Sequence, residues 1–188
     1  MSQAKPTIVV TGGAGYIGSH VVLTLQRAGY GVLVLDNLEY GHRELVEDIL
    51  KVELVVGDIN DRTTLDRLFA SHEITAVIHL AAYIAVGESV SDRAKYYRNN
   101  VSGTLTLLEA MVAADVKKIV FASTCSIFGM PEQLPMTEDH PQAPINPYAT
   151  TKWMVERMLN NFDHANFSRQ QRQSSENLRL VSQIPRSQ

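Results

Sequence analysis

The chain has 188 residues, 45% of them hydrophobic and 20% charged, which is one domain's worth of sequence with enough apolar content for a core. Seventeen Lys+Arg against twenty Asp+Glu leave a formal charge of −3, which gives no electrostatic case for nucleic acid or an anionic membrane surface. The apolar runs fall short of the ~20 residues a spanning helix needs, the N-terminus has no signal-peptide core, and the single cysteine, Cys125, excludes an internal disulfide, so we expect a cytoplasmic globular protein; the spacing of His and Cys predicts no metal.

In chain order, short β-branched runs recur at Thr7–Thr11, Val32–Asp36, Glu53–Gly57, Ala76–Leu80 and Lys118–Ser123. They are apolar throughout rather than alternating, as expected of parallel strands buried on both faces. Between them, helical spacing runs over Tyr16–Gly29, Arg43–Lys51, Asp61–Ser71 and Ala94–Ala114, and a fifth helix is expected from near Tyr148 to about Phe162. Strand then helix, repeated, predicts an α/β fold with a doubly wound parallel sheet of about five strands, occupying residues 1–162. Residues 163–188 hold five Gln, five Ser and four Arg but no Gly, and predict a polar, disordered tail. Leu178–Val181 is its one strand-like stretch.

Gly12, Gly15 and Gly18 follow the first strand and open the first helix. Gly12 permits a tight turn, Gly15 lets a pyrophosphate approach the backbone, and Gly18 lets the helix pack close to the strand. The helix N-terminus then offers free N–H groups to phosphates. The second strand ends in Asp36, eighteen residues after Gly18. A carboxylate there can accept from the adenosine ribose hydroxyls and repels a 2′-phosphate, favouring NAD over NADP. Asp58-Ile59 at the end of the third strand has two readings: Asp58 on the adenine amino group with Ile59 against the ring, or Asp58 as a turn cap. His79 reads as a satisfied core histidine before the small residues Ala81 and Ala82.

Tyr148 and Lys152 are four apart, on one face of the expected fifth helix. A nearby ammonium favours phenolate over phenol, so Tyr148 can serve as a base on a substrate hydroxyl. The fifth strand ends in Ser123-Thr124, and either hydroxyl there can reach a reacting oxygen or cap a turn. Cys125 reads as a small packed residue, because no activating base accompanies it.

Together Thr11–His20, Leu35–Leu38, Gly57–Ile59, Ala85–Val90, Tyr96–Val101, Ser123-Thr124 and Asn146–Lys152 resemble the UDP-glucose 4-epimerases of the extended short-chain dehydrogenase/reductase superfamily. The glycine loop and Tyr-x-x-x-Lys mark the superfamily; Ala-Val-Gly-Glu-Ser and Tyr-Tyr-x-Asn-Asn-Val point to the epimerases. The resemblance implies a Rossmann-like fold, NAD as cofactor, a UDP-hexose as substrate and C4 epimerisation through a 4-keto sugar, with a homodimer as one assembly. It places Tyr148 as base, Thr124 as the catalytic hydroxyl and Lys152 on the nicotinamide ribose. It also places Gly12, Gly15, Tyr16, Ile17, Gly18, Asp36, Asn37, Asp58, Ile59, Ala81, Ala82 and Asn99 at cofactor-binding positions.

The chain departs from that pattern in three ways. Ile84 stands where many epimerases have a Lys that contacts NAD, and Phe128 replaces a Tyr, which packing is expected to tolerate. Beyond Phe162 the expected substrate domain gives way to the polar tail, so the chain reads as an N-terminal fragment whose unaided turnover is not expected. The other readings are a noncatalytic NAD-binding module and a 4,6-dehydratase. The dehydratase pattern puts Asp-Glu after the Ser/Thr, whereas Cys125-Ser126 follow Thr124 here.

Overall fold

A computed structural model describes residues 6–167. Five parallel strands, β1 (Thr7–Thr11), β2 (Gly31–Asp36), β3 (Glu53–Val56), β4 (Ile74–His79) and β5 (Ile119–Phe121), form one sheet in the order β3-β2-β1-β4-β5. Every strand run read from the sequence is present, displaced by at most two residues at either end. Valine, leucine and isoleucine dominate because the central strands are covered on both faces: Val9, Val10, Leu33, Val34, Leu35 and Val77 are all essentially inaccessible.

The chain moves from β1 outward to β2 and β3, then crosses to β4 and β5 on the other side. That reversal at β1 and β4 is the topological switch point, beside which ligands bind in doubly wound sheets. The helix α1 (Tyr16–Arg27), a π-helical turn at Leu45–Leu50 and the helix α2 (Arg62–Ser71) make the regular parts of the first three connections, in that order. Val10, Ala14, Val22, Val34, Val46 and Leu50 form one apolar cluster that holds α1 and this turn on the sheet.

The described residues group into two compact units, the first holding the sheet through Ala81 together with Thr106–Ala122, the second holding Ala82–Leu105 and the chain from Ser123 onward. The second unit contains α3 (Val86–Ser91), α4 (Arg93–Tyr96) and α6 (Pro147–Phe167), while α5 (Thr104–Ala113) carries the boundary. A 3-10 turn at Cys125–Phe128 completes the second unit.

Two elements differ from the sequence reading. The helix expected over Ala94–Ala114 is interrupted by a π-helical stretch at Tyr97–Gly103. Thr104, directly after this stretch, donates its hydroxyl to the Asn100 carbonyl at 2.6 Å. The last helix continues to Phe167, past the expected end at Phe162. Residues 168–188, with the strand-like Leu178–Val181, lie outside the described residues.

Candidate functional site

In the first unit, the loop from β1 into α1 is shaped by glycine geometry. Gly12 has φ +72°, and a Cβ there would lie 2.7 Å from the Ala81 amide nitrogen. A Cβ on Gly18 would meet the Gly12 carbonyl oxygen at 2.1 Å, so α1 can seat on the loop only with glycine at this position. Gly15 differs: its φ of −85° suits any residue, and a Cβ would have the Gly12 oxygen at 3.4 Å as its one neighbour. The fold therefore does not require glycine at position 15, and the space over it stays open.

Gly15 is also the N-cap of α1 and supplies no side-chain cap. Helix N-termini leave their first N–H groups without intrahelical partners, and the flanking Tyr16 and Ile17 are 82% and 63% exposed. An open glycine cradle next to an uncapped helix start suits a pyrophosphate.

Asp36, at the carboxyl end of β2, is 8% exposed and ties this loop down. Its Oδ2 accepts from the Ala14 N–H at 3.0 Å, and its Oδ1 accepts from the Leu38 N–H at 2.9 Å. Each oxygen keeps a second lone pair for a ligand hydroxyl. Asn37 Nδ2 donates to Asp58 Oδ2 at 3.3 Å, while Asp58 Oδ1 accepts both the backbone and side-chain N–H of Asn60 at 2.8 Å. Asp58 thus caps its turn, one of its two sequence readings. Ile59 is buried in the chain itself.

Thr11 and His79 close the ends of β1 and β4. Thr11 Oγ1 accepts from the N–H groups of Leu80 and Ala81, so its own proton is directed to His79 Nδ1, 2.7 Å away. His79 is 1% exposed and is a satisfied core histidine, as its sequence context suggests.

In the second unit, Asn146-Pro147 starts α6 with a side-chain cap: Asn146 Oδ1 accepts from the Ala149 N–H at 2.8 Å. The regular helix then puts Tyr148 and Lys152 one turn apart on one face. Tyr148 is half-buried, whereas Lys152 is 3% exposed. Desolvation pulls the Lys152 ammonium down to about 8.

Asn99 lies in the π-helical stretch and donates from Nδ2 to Asn100 Oδ1 at 2.9 Å. Asn100 is the residue the sequence reading passes over. It is 2% exposed. Its Oδ1 also accepts from the Tyr83 N–H, and its Nδ2 donates to the Tyr83 carbonyl at 3.0 Å and to Thr151 Oγ1 at 3.1 Å. Its amide capacity is thereby filled. Thr151 in turn donates to the Tyr148 carbonyl at 2.7 Å. One side chain thus joins the segment holding Ala82 and Ile84 to the turn holding Tyr148 and Lys152. The only sequence signal was the second Asn of the Tyr-Tyr-x-Asn-Asn-Val run.

The two segments that narrow the resemblance also touch each other. The buried Tyr96 hydroxyl lies 2.7 Å from the Ala85 carbonyl and 2.8 Å from Glu88 Oε2, and Lys95 Nζ donates to Glu88 Oε1 at 2.9 Å. Burial, with the Glu88 carboxylate alongside, pushes the Tyr96 phenol up to about 12. Ser123 donates its hydroxyl to Glu156 Oε1, whereas Thr124 Oγ1 accepts from the Ser126 N–H at 3.3 Å and caps the 3-10 turn. Phe128 packs edge-on against His140 with centroids 5.7 Å apart. Ile84 is exposed, and so is Cys125, which is therefore not the packed residue its sequence context suggests.

The NAD dependent epimerase/dehydratase family matches residues 8–169. The chain belongs to this family. It is 52% identical over 155 residues to the UDP-glucose 4-epimerase of Rhizobium meliloti (strain 1021), covering 82% of this chain and 46% of that protein. The UDP-glucose 4-epimerase of Bacillus subtilis (strain 168) is 48% identical over 163 residues, covering 84% of this chain and 48% of the relative. The crystal structure of UDP-glucose 4-epimerase from Brucella ovis in complex with NAD superposes with a TM-score of 0.83 at 43% identity, over 86% of this chain and 49% of that one. The Thermotoga maritima epimerase with UDP-glucose gives 0.81 at 37% identity, over 86% and 52%. The chain spans about half the length of the relatives it matches.

The match confirms the α/β, doubly wound, Rossmann-like fold. Among the described residues no helix is long and apolar enough to cross a membrane, and no group of three or more His, Cys, Asp or Glu side chains could hold a metal ion.

Proposed function

We propose that the chain binds NAD and carries the acid–base residues of an epimerase that inverts C4 of a UDP-hexose. The observation that carries this reading is the glycine loop, which is open where a pyrophosphate needs room and closed everywhere the fold needs contact. Gly12, Gly15, Tyr16, Ile17 and Gly18 would hold the pyrophosphate by backbone N–H groups. Asp36 would accept from the ribose hydroxyls with the lone pairs that Ala14 and Leu38 leave over. Asn37, Asp58, Ile59 and Ala81 in the first unit, and Ala82 and Asn99 in the second, are the remaining positions assigned to the cofactor. The relatives solved with NAD support this choice of cofactor.

NAD⁺, when bound, supplies the hydride acceptance at the sugar C4 and its return, by way of a 4-keto sugar. Tyr148 takes the proton of the 4-hydroxyl as base and gives it back as acid. Lys152 lies one turn from Tyr148 on the same helical face and would hold the nicotinamide ribose. Thr124 donates its hydroxyl to the reacting oxygen, a role open to it because its structural contact uses the oxygen only as an acceptor. A 4,6-dehydratase remains disfavoured, because Cys125 and Ser126 occupy the positions after Thr124 where an acid/base pair is needed.

A second reading, an NAD-binding module without turnover, draws on the chain's matching only half the length of its relatives. Holding the sugar in place can supply ~7–11 kcal/mol toward the barrier, so this second reading expects NAD binding without sustained turnover. The deciding experiment purifies the chain and measures retained NAD and conversion of UDP-galactose to UDP-glucose. Folded protein that holds no NAD overturns both readings. NAD without conversion selects the module. Conversion abolished by Tyr148→Phe selects the epimerase, and conversion that survives that substitution removes Tyr148 as the base.

A further inference from the structure

We infer that Glu156 is a positioning residue that holds the Thr124-bearing turn on the helix carrying Tyr148 and Lys152. The inference rests on the proposed role of Thr124, but its structural content stands apart from cofactor and substrate. Glu156 lies one helical turn beyond Lys152 and two beyond Tyr148 on α6. Its two carboxylate oxygens are used by two different segments. Oε1 accepts from the hydroxyl of Ser123, the residue before Thr124, and Oε2 accepts from Gln142 Nε2 at 3.0 Å. Gln142 is itself fixed on α6, since its Oε1 accepts from Trp153 Nε1 at 3.0 Å and from the Arg157 guanidinium.

These contacts close a ring. From Gln142 the chain passes to Ala143, whose N–H donates to the Ile127 carbonyl at 2.9 Å. The Ile127 N–H in turn donates to the Thr124 carbonyl at 3.3 Å, and Thr124 follows Ser123 directly. Thr124 therefore sits in a short segment tethered at both ends, and Glu156 is the side chain that takes a hydrogen bond from each tether. Both bonds are charge-assisted, about twice as strong as neutral ones. The Thr124 side chain itself accepts from the Ser126 N–H, which fixes the turn internally but not on α6.

The test is hydrogen exchange and methyl NMR on the cofactor-free 188-residue chain, with Glu156→Ala, Glu156→Gln and Ser123→Ala. Glu156→Ala is expected to speed exchange at the Ile127 and Ala143 amides tenfold or more and to shift the Thr124 γ-methyl resonance. The amides of Gly12 and Leu80, just past the ends of β1 and β4, are expected to change less than twofold. Glu156→Gln keeps the length and can keep both contacts, its oxygen accepting from Gln142 Nε2 and its amide N–H donating to Ser123 Oγ, and should stay within threefold of the unsubstituted chain. If Glu156→Ala does not fold, Ser123→Ala, which severs one tether only, should still speed exchange at Ile127 at least threefold. Unchanged exchange at Ile127 and Ala143, or acceleration by the same factor at Gly12 and Leu80, overturns the assignment. Because no NAD is present, failure here leaves the cofactor reading standing, and failure to bind NAD leaves this result standing.

Discussion

Asp36 and Lys152 are the two charged side chains whose burial matters most for the proposed chemistry. Asp36 keeps its carboxylate at the end of β2 by accepting two backbone N–H groups, and a 2′-phosphate would bring further negative charge against it. The expected outcome is NAD binding at least tenfold tighter than NADP by isothermal titration; equal affinities would remove Asp36 from cofactor choice. Lys152 is desolvated, and its folded value near 8 lies below the ordinary 10.5. Between these values the unfolded chain binds the extra proton, so stability rises with pH across that window and is lowest below 8. Lys152→Met should therefore be more stable than the unsubstituted chain at pH 7, with the advantage shrinking toward pH 10, as read by urea denaturation. A difference that does not vary with pH would contradict the desolvation argument.

The loop from β1 to α1 shows that three glycines in one motif do three jobs, and substitutions should separate them. Gly18→Ala places a methyl group into the Gly12 carbonyl and should cost ~2 kcal/mol or more, seen as a lower urea midpoint. Gly15→Val meets open space and an extended backbone that valine accepts. It should cost about 1 kcal/mol of stability at most, the loss expected of a poor N-cap, while weakening NAD binding tenfold or more. Unchanged affinity in the folded variant would show that the space over Gly15 is not the pyrophosphate site. The spacing of this motif was visible in the sequence, but the difference between Gly15 and Gly18 was not, because it depends on which backbone lies opposite each missing Cβ. The π-helical stretch at Tyr97–Gly103 was equally hidden, because apolar periodicity does not report a local change in backbone hydrogen-bond register.

For the whole molecule, binding that favours the folded state must appear as stability. NAD at a hundred times its dissociation constant should stabilise the chain by about 2.7 kcal/mol, roughly 5–10 °C at this size. Scanning fluorimetry with NAD, and with the Gly15→Val variant as control, measures this; a midpoint indifferent to NAD would count against the cofactor reading. The elements of the sheet could be read without a structure, because a strand covered on both faces must be apolar along its whole length and a helix begins at a local cap such as Asn146. Tertiary structure decided what the polar side chains do. His79 is held by Thr11, 68 positions away, Asn100 by Thr151 across 51 positions, and Glu156 by Ser123 across 33. The local sequence announces a donor or an acceptor, but hydrogen bonds reach only about 3 Å, so the partner is chosen by whichever distant segment the packing of the apolar core brings within that distance.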